Sequence, residues 1–157
     1  MLDLVRKHKF TRNNYRTNVD RRPENQQNDV SGRNWLTVGP NSNTVRGAHP
    51  IVEQVRKQVP CNSVCINRRR ADSPTPPMGA HRDSRNTGEG SYVMHWGQSI
   101  GEGALVTEHG DRFEEQGVWH TCGDLSKITH WVEPHYNGTR YSLVAFTGPP
   151  PRVKKRP

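Results

Sequence analysis

The chain has 157 residues and a formal charge of +8, with 30% apolar residues and a mean hydropathy of −0.99. This leaves room for one domain with a small core, and the absence of any long apolar run argues against membrane-spanning helices. The charge is uneven: residues 1–33 carry eight Lys/Arg against four Asp/Glu, whereas residues 89–118 hold Glu89, Glu102, Glu108, Asp111, Glu114 and Glu115 against Arg112 alone. With no signal peptide and an odd count of three cysteines (Cys61, Cys65, Cys122), the expected location is intracellular, cytoplasmic or nuclear.

In chain order, residues 1–33 lack sustained periodicity and are rich in Asn, Arg and Gln, which predicts one turn of helix followed by a polar, largely disordered segment, with no packing anywhere in 1–33. NWLTVG predicts a short strand. HPIVEQVRKQV places Pro50 at a first helical position and Ile51, Val52, Val55 and Val59 on one stripe, which predicts an amphipathic helix over 50–59. From Asn62 the pattern turns strand-like: NSVCIN, MGAHRD, SYVMHWG, ALVTEH, GVWHTC, ITHWVEP and RYSLVAF are separated by Gly-containing turns, as in a sandwich or barrel. The tail 148–157 is Pro-rich and basic, and its VKKRP also reads as a nuclear-localisation signal. The resulting division is a polar segment 1–33, a folded domain 34–147 with its core at about 60–147, and the tail.

MGAHRDSRN sets His81 and Asp83 two residues apart, and in a strand such a pair projects from one face. Two histidines and one carboxylate on one side of a metal, with the other positions open, are the ligand set of non-haem iron(II) oxygenases. The distal segment THWVEPHYNGTRYSLVAF offers His130 and His135 as the third ligand. Further on come Arg140, whose guanidinium can grip a carboxylate bidentately, and Ser142, a second donor on the same strand face. His135 sits in the turn PHYNG, five residues before Arg140, and its side chain is expected to face solvent.

The ordered pattern of H-x-D, a His about fifty residues on, and R-x-S about ten further resembles the iron(II)/2-oxoglutarate-dependent dioxygenases. GAHRDSRN, SYVMHWG, GEGAL, HWVEP and GTRYSLVAF look most like the branch containing the AlkB and TET/JBP nucleic-acid oxygenases with their algal and transposon-associated relatives. The resemblance implies a mainly β fold, a double-stranded β-helix or jelly-roll barrel with the short helix outside it. It also implies an enzyme that uses iron(II), 2-oxoglutarate and molecular oxygen to hydroxylate or demethylate its substrate. On this resemblance His81, Asp83 and His130 are the metal ligands, and Arg140 with Ser142 anchors the co-substrate. Asn67 matches an Asn that helps hold it, although the aromatic residue expected two positions later is replaced here by Arg69.

A nucleobase substrate fits this branch and the net charge, which makes DNA or RNA the expected partner; Arg68, Arg69, Arg70 and His95 are the candidate substrate residues. Neither a membrane nor a partner protein is implied. The polar N-terminal third lacks the elements that usually buttress this barrel, as in a truncated or degenerate copy. An inactive barrel acting as a basic nucleic-acid-binding module is the alternative, and a cupin-like protein holding another divalent metal on the same three ligands is a third.

Overall fold

The computed structural model describes residues 1–6, 35–40, 49–72, 79–84, 86–87 and 90–150. The expected disorder beyond residue 6 and the basic end of the tail lie outside these residues. The protein is mainly β. Among the described residues there are two short helices, α1 (Leu2–Arg6) and α2 (Pro50–Arg56), and eight strands: β1 (Trp35–Val38), β2 (Ser63–Arg70), β3 (Tyr92–Trp96), β4 (Leu105–Thr107), β5 (Arg112–Phe113), β6 (His120–Thr121), β7 (His130–Val132) and β8 (Thr139–Phe146).

Every pairing is antiparallel, in a five-stranded sheet of order β1-β2-β8-β3-β6 and a three-stranded sheet of order β5-β4-β7, with no pairing that closes a barrel among the described residues. The long strands β2 and β8 form the middle of the larger sheet and are paired along their whole length, from Ser63 with Phe146 to Arg70 with Thr139. Alternation sends Val64, Ile66, Leu143 and Ala145 to one face, where they pack with Val38 of β1, with Ile51, Val52, Val55 and Val59, and with Val5. Each Val, Ile or Leu among them contributes about 1.5–3 kcal/mol on burial. A second cluster, Val93, Leu105, Cys122 and Leu125 with Phe113, Val132 and Val144 against it, joins the opposite face to the smaller sheet. The three cysteines form no disulfide. No helix is long and apolar enough to cross a membrane among the described residues.

α2 begins where Pro50 predicts, with His49 as its cap: the Ile51 N–H donates to His49 Nδ1 over 3.2 Å. It stops earlier than the expected 50–59, because its last turn tightens and the amides of Gln58 and Val59 both donate to the Val55 carbonyl. Three sequence expectations are corrected here. Residues 1–6 do pack, since Val5 is fully buried in the main core although the surrounding sequence shows no periodicity. In MGAHRD the described residues 79–83 form no strand: His81 makes a single bridge to His130, and the Asp83 amide donates instead to the Leu125 carbonyl. The segment has no β-branched residue to favour extended pairing. GVWHTC shrinks to the two residues of β6, and the unexpected β5 arises as the return leg of a turn after β4, where the Thr107 amide donates to the Asp111 carbonyl.

Candidate metal centre

The bridge between His81 and His130 fixes the backbone of two distant segments, each amide donating to the other's carbonyl over 3.0 Å. Both imidazoles are buried, with ring centroids 4.3 Å apart. Each ring is then aimed by its own chain: His81 Nδ1 lies 2.7 Å from the Gly79 carbonyl, and His130 Nδ1 lies 2.9 Å from the Ile128 carbonyl. A carbonyl only accepts, so Nδ1 carries the proton in both rings and Nε2 is left with a lone pair.

Those two lone pairs converge on the carboxylate of Asp83, with Oδ1 3.4 Å from His81 Nε2 and 3.6 Å from His130 Nε2. All three ligand atoms lie within 4.8 Å of one another. Burial pushes the Asp83 pKa up, but when the two rings are protonated the hydrogen bonds and charges of His130 and His81 overcome it and hold the carboxyl well below its usual range; when the rings are neutral, Asp83 faces two lone pairs instead. Three acceptors facing one point repel one another unless a cation sits between them. Separations of 3.4 and 3.6 Å are short enough for one ion to be shared by Asp83 and each imidazole. The donor set, two neutral imidazoles and one carboxylate with backbone carbonyls behind the rings, therefore fits a divalent ion of the iron or zinc type.

The residues of the R-x-S pattern lie on the inner face of the larger sheet. Asn67 is paired with Ser142, Arg69 with Arg140, and His95 with Ser142 across the neighbouring strand. Asn67 Nδ2 donates to Ser142 Oγ over 3.4 Å, and both residues are buried. Arg140 is 5% exposed, and its one side-chain hydrogen bond among the described residues runs from Nε to the Gly103 carbonyl over 2.8 Å. Gly103 is required there: its φ is +64°, and a Cβ would stand 3.0 Å from Arg140 Cδ. Burial first, and then the charge of Arg69, draws the Arg140 pKa down to about 10, so the guanidinium stays charged at neutral pH.

The candidate substrate residues do not form one surface. Strand alternation puts Arg68 on the face opposite Arg69, and exposed Arg70 grips Asp72 through Nε (2.8 Å) and Nη2 (2.5 Å). His95 is 0% exposed. Its Nε2 donates to the Phe113 carbonyl over 3.2 Å, and Nδ1 accepts from Gln98 Nε2. Burial and the charge of Arg140 lower its pKa from 6.5 to about 4.

The expectation that His135 faces solvent is overturned, because the side chain is 3% exposed. Two loops close over it: the Tyr136 amide donates to Glu102 Oε2 over 2.9 Å, and the Gly103 amide donates to the Pro134 carbonyl over 3.1 Å. Sequence reasoning had no signal for this contact, nor for the partnership of Gln98 with His95. Glu102 inside GEG, facing PHYNG across the molecule, becomes meaningful only once β4 and β7 pair.

Neither a family model nor a curated relative matches the sequence. Among solved structures, the chain is similar to one described as NgTET1 in complex with 5mC DNA, at 20% identity and a TM-score of 0.48. The match covers 56% of this chain and 34% of that one, so this chain spans about a third of the length of its neighbour.

Proposed function

We propose that the protein is an iron(II)- and 2-oxoglutarate-dependent dioxygenase whose two facing sheets are the halves of a double-stranded β-helix. The observation that carries the reading is the convergence of His81 Nε2, His130 Nε2 and Asp83 Oδ1, with both Nδ1 protons already committed to carbonyls. The carbonyls of Gly79 and Ile128 hold the rings in the metal-binding tautomer, and the ionised Asp83 supplies the charge. Arg140, buried without a carboxylate partner among the described residues, is suited to the far carboxylate of 2-oxoglutarate, with Ser142 and Asn67 beside it. Bound iron would supply oxygen activation coupled to oxidative decarboxylation of the co-substrate; the protein's part is to orient that co-substrate and keep water from it.

The substrate we propose is a nucleobase in DNA or RNA, supported by the net charge of +8. Anaerobic addition of iron(II) and then 2-oxoglutarate should produce a visible metal-to-ligand charge-transfer band, and oxygen should then yield succinate. A protein that takes up iron yet shows neither band nor succinate is not a dioxygenase. Salt-dependent retention of DNA or RNA by such a protein would leave the binding-module reading in place.

A further inference from the structure

Apart from the three metal-facing atoms, the inner face of the larger sheet holds a second group of polar side chains. Arg69 and Arg140 are direct cross-strand partners, so their guanidinium stems leave the sheet on one face. Like charges directly opposite one another destabilise a sheet, and a buried cation costs several kcal/mol unless an anion meets it. Arg140 has no carboxylate within ion-pairing distance among the described residues.

His135 comes to the same region from the loop after β7, because the Gly103 carbonyl accepts from Arg140 Nε while the Gly103 amide donates to the carbonyl of Pro134, the residue before His135. His135 Nε2 is buried with no hydrogen-bond partner among the described residues, and the Arg69 backbone acts on the ring in the direction that favours its protonated form. The acid that acts on the ring is Glu102, which accepts from the Tyr136 amide and forms no ion pair among the described residues. Strand β2, strand β8 and the 133–138 loop thus bring three basic groups to one side of the sheet, two of them, Arg140 and His135, buried.

We propose that Arg69, Arg140 and His135 form a single oxyanion pocket, and that His135 Nε2 takes up one proton when a carboxylate enters it. The proton comes from solvent and is then donated to a carboxylate oxygen. The identity of the carboxylate as the far end of 2-oxoglutarate rests on the dioxygenase reading; the pocket itself does not. In the free protein, burial and then the charges of Arg69 and Arg140 hold His135 below its ordinary value, with Glu102 and the Arg69 backbone opposing them. The free ring is therefore neutral at pH 7, and a bound anion reverses the local field and raises its proton affinity. Affinity should then rise by up to about tenfold per pH unit as pH falls toward the free ring's pKa.

The test is calorimetric titration of the full chain, loaded with manganese(II), with 2-oxoglutarate at pH 7 in two buffers of different ionisation enthalpy. Succinate and inorganic phosphate are titrated in parallel into the metal-free chain. Binding should take up about one proton. His135→Gln should abolish that uptake while still binding manganese, and Arg69→Gln should keep the uptake but lose about tenfold or more in affinity. Wild-type binding without proton uptake, or unchanged uptake in His135→Gln, overturns the proposal, as does failure of all three anions to bind. If 2-oxoglutarate fails but succinate or phosphate binds with uptake that His135→Gln loses, the pocket stands and the dioxygenase reading falls.

Discussion

On one face of β2 and β8, Val64, Ile66, Leu143 and Ala145 are buried against the helices; on the other, Asn67, Arg69, Arg140 and Ser142 stand in a polar interior between the sheets. The backbone is common to both faces, and only the alternation of residue type differs. The apolar face holds the sheet in place through burial, which tolerates exchange among side chains of similar volume. The polar face has no such tolerance, because each group there depends on a direction: Arg140 on the Gly103 carbonyl, His95 on Phe113 and Gln98. A single pair of strands therefore carries stability on one face and chemistry on the other.

The comparison breaks most severely at the metal centre facing the polar side. Asp83→Ala and His130→Ala should each abolish iron-dependent succinate formation, with iron affinity falling more than about a hundredfold, yet leave the unfolding midpoint of the metal-free protein nearly unchanged. Normal turnover in either variant would remove that centre from the mechanism. On the apolar face Leu143→Ala should do the reverse, costing about 2–5 kcal/mol in denaturant unfolding. The protein that remains folded should still bind iron.

The polar face has its own, pH-dependent share of stability. His95 is neutral in the folded protein down to about pH 4 but protonates near 6.5 once unfolded. The unfolded chain binds the extra proton first, so the stability is fully present above pH 6.5 and is lost as pH falls toward 4. Between pH 7 and 4.5 the loss should be about 2–3 kcal/mol. Denaturation curves of His95→Gln at the two pH values should show that part of the decline removed; an identical decline would place its source elsewhere. The smallest effect is expected from Arg140→Lys, which keeps the charge and loses the planar fork. Affinity for 2-oxoglutarate should fall about tenfold and iron affinity should hold, and unchanged co-substrate titration would show that the fork is not used.

What could be read from the sequence was whatever repeats along a single segment. The alternation in NSVCIN and RYSLVAF located β2 and β8, and Pro50 with the stripe Ile51, Val52 and Val55 located α2. The order of His81, Asp83, His130, Arg140 and Ser142 was visible as a spaced pattern. What could not be read depends on contact between segments. Val5 is buried because a single turn of helix lands on a core made elsewhere. His81 and Asp83 are brought together by a bridge to β7 and a bond to Leu125 rather than by strand geometry. His135 looked like an exposed turn residue because the loop that covers it lies more than thirty positions away, at Glu102.

The bridge between His81 and His130 also bears on chain entropy. Two backbone hydrogen bonds there, with the Asp83 amide on Leu125, fasten the β2–β3 connection to the region around β7. An ion shared by His81, Asp83 and His130 would cross-link the same two stretches of chain, nearly fifty residues apart in sequence, and so act on the unfolded ensemble as a removable staple does. Loop closure on that scale makes the metal a structural fastener as well as a reagent, and a chelator would withdraw both at once. The thermal midpoint should therefore rise with metal concentration even when no co-substrate is present.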